Sequence, residues 1–228
     1  MAKKMELDRG RQTGPQLYEF LRQKIIDLKL APGAVLSRAE LAAEFKISQT
    51  PVREALLKLA QENLVDVIPQ ASTRVSLIDV SFARETHFLR QSIELELVRE
   101  LTLNPNPAAT DALQSLLQRL EVLRDTGKLA AFTEADRAFH FTLYEYTDKE
   151  PLWHLVRSRS GHLDRLRRLH LPVVGKQNQI IDDHRRILKA IVAQDVAEAQ
   201  QALRDHLSGT LVYVSQLQAD YPDLFAYE

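Results

Sequence analysis

Apolar residues recur with a helical period along most of this chain. After Gly14-Pro15, the positions Leu17, Phe20, Leu21, Ile25 and Leu28 form one stripe, and Ala31-Pro32-Gly33 ends it. Leu41, Ala42 and Phe45 predict a second, shorter helix. Ser48 then stands where its side-chain oxygen would accept from the first N–H groups of a third, with Pro51 inside the first turn and Val52, Leu56 and Leu59 on the inner face. Two helices joined so tightly cross steeply and leave the second with an exposed face, here Gln49, Thr50, Arg53 and Lys58. The runs 64–69 and 73–77 are rich in β-formers and are bridged by Gln70, Ala71 and Ser72, which predicts a small hairpin. Residues 76–79 read as a link. Helical period returns over 80–103, 110–125, 129–146, 151–170, 177–193 and 196–217, and connections this short predict an antiparallel bundle.

Three of these later helices carry polar groups on their apolar stripes. Asp136 and His140 lie four apart among Leu129, Phe132, Phe139 and Leu143, so they stack on one helix face. His184 sits within Ile180, Ile181, Ile187, Leu188 and Ile191, and His206 beside Leu203, Leu207 and Leu211. A core carboxylate without a partner costs on the order of several kcal/mol, so something must compensate it. One core histidine is ordinarily hydrogen-bonded to a carbonyl, and Asp136 with His140 could be a simple ion pair. Three histidines and a carboxylate from three helices form a donor set suited to zinc, nickel, iron(II), cobalt or manganese, with coordination positions left over for water or a small carboxylate.

Charge sharpens the division of the chain. Residues 1–76 hold 12 Lys and Arg against 9 Asp and Glu, and the remainder holds 18 against 22, as expected for a nucleic-acid-reading head on a body of another purpose. Cysteine is absent, which excludes disulfides, thiolate metal sites and a Cys nucleophile and fits a reducing cytoplasm. No apolar run approaches the roughly 20 residues that span a bilayer, so no membrane partner is expected.

Ser48 to Leu56, followed by Leu59, Leu64-Val65 and the run 69–75, resembles the winged-helix domain of the GntR family of bacterial transcription regulators. Gln49 stands where that family usually has Arg, which shifts base preference from guanine toward adenine, and Ser72 where it usually has Gly. The second half resembles the ligand-sensing FCD domain of one GntR branch, through 136–140, His184, Asp205-His206-Leu207 and the pair Arg90 and Glu94. The expected fold class is therefore mainly α, with an N-terminal winged helix-turn-helix bearing a small β wing and a C-terminal antiparallel all-α helical bundle. Expected boundaries are 1–13 for a flexible arm, 14–78 for the winged helix, 79–220 for an effector-binding and dimerisation domain, and 221–228 for a tail.

The resemblance implies metal ligands at Asp136, His140, His184 and His206, with zinc first among the candidate ions, and effector carboxylate binding near Arg90 and Glu94. His162 and Arg165, close to the stripe of their own helix, are added as effector-binding candidates. DNA contacts are expected from Arg38, Lys46, Ser48, Gln49, Thr50, Arg53 and Arg74, each of which could otherwise be a solvated surface group. One short helix reads few bases, so a homodimer on a pseudo-palindromic double-stranded operator is expected. The expected function is a cytoplasmic, non-enzymatic transcription regulator, a repressor, gated by a small organic acid at the metal site. A metal-responsive regulator is the alternative. A metallohydrolase is a weaker one, because no spare carboxylate stands at a general-base spacing.

Overall fold

The computed structural model describes residues 7–8, 10–68 and 72–226, which form two compact units. The first comprises the chain to Ala83 together with 159–168 and the segment from Gln216. It opens with α1 (Thr13–Ile26), β1 (Val35–Leu36), α2 (Arg38–Phe45), α3 (Gln49–Gln61), β2 (Val65–Val67) and β3 (Thr73–Val75). Leu17, Leu21 and Ile25 of α1 are buried in one cluster with Val52, Leu56 and Leu59 of α3. Each such side chain contributes about 1.5–3 kcal/mol, enough together to hold helices that would be marginal alone. The first stripe ends earlier than its spacing predicts: Leu28 lies beyond α1 with φ +58°.

The predicted hairpin is present and gains a strand. The sheet order is β1-β3-β2, all antiparallel, with Val35 opposite Arg74 and Val67 opposite Thr73. A two-residue β1 carries no period of its own; pairing with β3 defines it. Pro69 of the first predicted run and the bridging residues Gln70 and Ala71 lie outside the described residues, as do residues 1–6 and 9 of the expected arm and 227–228 of the expected tail. From the described part of that tail, Phe225 makes a parallel bridge to Ile78, with Ile78 N–H donating to the Leu224 carbonyl (2.8 Å) and Ala226 N–H to that of Ile78 (3.0 Å).

The second unit comprises 84–158 and 169–215. It contains most of α4 (Val80–Leu103), α5 (Pro107–Asp125), α6 (Leu129–Glu145), most of α7 (Glu150–Arg159), the end of α8 (Gly161–His170), α9 (Lys176–Val192) and α10 (Val196–Ser208), before α11 (Val214–Asp220). Helix α5 starts three residues before the predicted position. Asn106 caps it by accepting from Ala108 and Ala109 N–H (3.1 and 3.3 Å), and Pro107 takes the first-turn position where a missing N–H costs nothing. Two predicted helices are each broken. The run 151–170 divides into α7 and α8 at Ser160, and 196–217 ends α10 at Ser208, beyond which Leu211–Tyr213 is a 3-10 turn. The unit's core draws Leu97 and Val98 from α4, Leu113, Leu117 and Leu120 from α5, Phe132, Phe139 and Leu143 from α6, and Ile187 and Leu203 from α9 and α10. No described helix is long and apolar enough to cross a membrane.

Candidate functional site

Within the first unit, α1 backs a pair of helices whose outer face is open. Ser37 caps α2 by accepting from Glu40 N–H at 3.3 Å. Lys46, in the left-handed region (φ +54°), ends α2 and turns the chain toward α3 within three residues. Ser48 occupies the N-cap position as predicted, yet its side chain makes no cap hydrogen bond, so the helix starts there on backbone geometry and Pro51 alone. Arg38, Lys46, Ser48, Gln49, Thr50, Arg53 and Arg74 are all exposed. Lys58, which shares that helix, places its Nζ 4.0 Å from the Tyr18 ring centroid. On the wing, Arg74 Nε donates to Ser72 Oγ at 3.3 Å.

The second unit draws its polar stripe residues together. Asp136 and His140 come from α6, His184 from α9 and His206 from α10, and one ligand atom from each lies within 4.8 Å of all the others. His140 Nε2 stands 3.0 Å from His206 Nε2, His184 Nε2 is 3.3 Å from His206 Nε2, and His184 Nε2 is 3.5 Å from Asp136 Oδ1. None of the four is more than 7% exposed. Three imidazole nitrogens facing one another in a dry core can share at most the protons they carry, whereas a cation satisfies all of them. With bonds of about 2.0–2.1 Å, neighbouring ligand atoms are roughly 2.8–3.0 Å apart on an octahedral centre and roughly 3.3–3.4 Å on a tetrahedral one, so these separations fit a divalent first-row ion, and four donors on a six-coordinate ion leave positions open. The donor set, three nitrogens and one oxygen, fits it as well.

A second ring of side chains orients the first. Glu94, wholly buried on α4, lies with Oε2 2.8 Å from His140 Nδ1, while its Oε1 accepts from Arg90 Nε (2.7 Å) and Tyr144 O–H (3.2 Å). Burial pushes the Glu94 carboxyl up, but Arg90 and His140 outweigh it and leave it at about 2. Burial, with Arg90 nearby, draws His140 down to about 4 despite the Glu94 carboxylate. Its ring is therefore neutral near pH 7, the form that can ligate a metal. His206 Nδ1 is 3.4 Å from Asp183 Oδ2, and the His184 ring stacks on Phe139 with centroids 3.9 Å apart and planes 5° apart. Tyr144 and Asp183 escaped the sequence reading. Tyr144 follows His140 by four residues and so shares its helix face, a signal that was available; nothing in the sequence distinguished Asp183 from a surface carboxylate.

His162 and Arg165, expected as effector ligands, belong instead to the first unit. His162 Nδ1 accepts from Asp79 N–H (2.9 Å) and lies 2.9 Å from an Arg165 nitrogen, and Nε2 is 2.9 Å from the Asn63 carbonyl. Arg165 is fully buried and donates to the Ser76 carbonyl at 2.6 Å and to Ser76 Oγ at 3.2 Å. His162 is thus held by the link and its neighbours, and Arg165 by Ser76 and His162, with its buried Nε left without a hydrogen bond among the described residues. The stripe that suggested an inward direction for them is real, but the core they face is the other one.

Residues 13–75 match the family model of bacterial regulatory proteins of the gntR family, and residues 85–209 match that of the FCD domain. The chain is 38% identical over 217 residues to an uncharacterised HTH-type transcriptional regulator in an unstable DNA locus of Streptomyces ambofaciens, covering 95% of this chain and 91% of that one. It is 27% identical to the HTH-type transcriptional repressor RspR of Escherichia coli K12, over the whole of both chains. Among solved structures, E. coli McbR/YncC superposes with a TM-score of 0.76 at 22% identity, covering 91% of this chain and 99% of that one, a likeness of fold.

Proposed function

The chain belongs to the gntR family of bacterial regulatory proteins and carries an FCD domain, which makes it a DNA-binding transcription regulator, and from that premise we propose that a small organic acid controls its operator affinity through a divalent metal held by Asp136, His140, His184 and His206. The observation that carries the proposal is the meeting of those four buried donors within 4.8 Å. Zinc suits the set; nickel, iron(II), cobalt and manganese are the other candidates. The bound ion supplies a Lewis-acidic centre with positions open to a carboxylate oxygen. Arg90 supports the acid reading: its Nε is held by Glu94, and its two terminal nitrogens make no hydrogen bond among the described residues. A planar guanidinium fixed at one corner is preorganised for a carboxylate.

In the first unit, Gln49, Thr50 and Arg53 of α3 read base edges, while Arg38, Lys46, Ser48 and Arg74 grip phosphates. Two copies place their α3 helices in successive major-groove faces of a pseudo-palindrome, and the protein acts in the cytoplasm as a repressor. Effector binding shifts a two-state equilibrium between heads that fit the operator and heads that do not.

Elemental analysis of purified protein, followed by thermal melts against a panel of organic acids with and without chelator, tests this reading. Stoichiometric divalent metal is expected, with at least one acid raising the melting point only in the metal-loaded protein and lowering operator affinity in gel shifts. A ligand at about a hundred times its Kd stabilises by about 2.7 kcal/mol, well within reach of a melt. Metal-free protein whose melting point and acid response ignore the chelator would show that the histidines are structural. Operator binding that follows metal concentration with no acid present would make the ion itself the signal.

A further inference from the structure

The arrangement around Glu94 goes further, given the metal reading above. Glu94 Oε1 accepts from two donors, Arg90 Nε at 2.7 Å and Tyr144 O–H at 3.2 Å, and Oε2 faces His140 Nδ1 at 2.8 Å. An ionised carboxylate has only lone pairs to offer, so the proton in the contact with His140 belongs to Nδ1. A neutral imidazole carries one N–H. With that proton on Nδ1, the lone pair is on Nε2, the atom 3.0 Å from His206 Nε2 at the centre of the cluster. The carboxylate beside His140 comes from outside the four candidate ligands and is wholly buried. The Asp183 contact to His206 is longer, 3.4 Å, and Asp183 is partly exposed. Glu94 and His140 stand 46 residues apart on different helices, so the contact links α4 to α6 at the cluster.

We propose that Glu94 is a positioning residue of the metal centre: it selects the Nδ1–H tautomer of His140, fixes the ring so that Nε2 points inward, and raises its basicity, while Arg90 and Tyr144 hold Glu94 in place. Glu94 therefore acts on a metal through His140 and does not receive the effector. The effector role that the family resemblance implied for it changes accordingly, and Arg90 of that pair remains to meet a ligand carboxylate. Glu94→Gln keeps the shape and removes the charge. Its amide must also point N–H hydrogens at one of three existing donors, so His140 or Arg90 loses its acceptor.

The test is a zinc titration of full-length protein against a competing chelator, with the visible absorption of the cobalt-loaded form as a second readout. In Glu94→Gln the zinc Kd is expected to rise about 10–100-fold, as for other lost partners of ligating histidines, and the cobalt bands to shift. Glu94→Asp, which retains the charge, is expected to recover part of the affinity. Equal zinc Kd in wild type and Glu94→Gln, with melting points lowered alike in metal-free and loaded protein, would mean packing only and overturns the proposal. If the variant fails to fold, nitrogen NMR of the wild-type histidines decides: a proton on His140 Nδ1 is expected, and one on Nε2 overturns it. Wild type that binds neither zinc nor cobalt removes the metal reading itself, an outcome distinct from an unchanged Kd.

Discussion

Arg53 and Glu94 are both charged helix residues, and their surroundings separate what they can do. Arg53 is exposed on α3 and forms no ion pair among the described residues, so its guanidinium is available to a phosphate or a guanine edge. Arg53→Ala is expected to weaken operator binding by about 1–3 kcal/mol, read as a shift of the gel-shift midpoint with the melting point unchanged; an unmoved midpoint excludes it as a reader. Glu94 is closed off by three donors and can act only on them. Arg165 is a third case, a guanidinium buried with no carboxylate within hydrogen-bonding range among the described residues, whose pKa burial lowers to about 10 even with Asp66 nearby. Resemblance to the FCD family made Arg90 and Glu94 look like a single effector motif. It could not reveal that His140, far along the chain, would take one oxygen of Glu94.

At the level of elements, the boundary between α7 and α8 coincides with a close approach. A Cβ on Gly161 would come within 2.4 Å of a Leu64 methyl, so any larger residue there would force the Leu64 side chain to shift. The first turn of α8 then supplies His162, packed near Phe82 and held between Asp79, Arg165 and Asn63. A second proton on His162 would sit on Nδ1, against the Asp79 N–H and the Arg165 guanidinium. Burial, reinforced by Arg165, accordingly lowers its pKa to about 4, from the 6.5 of a solvated imidazole. As pH falls below 6.5 the unfolded chain takes up a proton that the folded one refuses, so stability contributed by His162 is lost between 6.5 and 4 and changes no further below that. The loss amounts to about 3 kcal/mol at about 1.4 kcal/mol per unit. His162→Gln removes the titration, and other groups change equally in both proteins. The stability advantage of wild type over His162→Gln in urea melts should therefore shrink by about that amount from about pH 7 to about pH 4; a constant difference would show that His162 titrates normally.

For the whole molecule, the dimer proposed from the shortness of the reading helix can be checked directly. Light scattering is expected to give twice the 26.0 kDa chain mass, and deleting one operator half-site to abolish tight binding. If Arg38, Lys46 and Arg74 each neutralise a phosphate in both copies, the logarithm of affinity should fall with that of salt with a slope of about −5. Lys46→Ala should make it shallower by about 2, and an unchanged slope would remove Lys46 from the phosphate contacts. Helical periods, caps and the tight turn before α3 are local properties, set by side-chain spacing and by residues such as Ser37, Lys46 and Pro51, so the helix order, the two-helix reader and the hairpin were legible from the chain alone. The i, i+4 spacing likewise put Asp136 and His140 on one face. A period tells which face of a helix turns inward, but not which faces meet. Whether His184 and His206 would join that pair, whether Glu94 would reach His140, and whether His162 and Arg165 would turn to the same core or the other depended on packing between elements distant in sequence. Those contacts are decided by the volumes and close approaches of the folded chain, as at Gly161 and Leu64, and only the tertiary structure contains them.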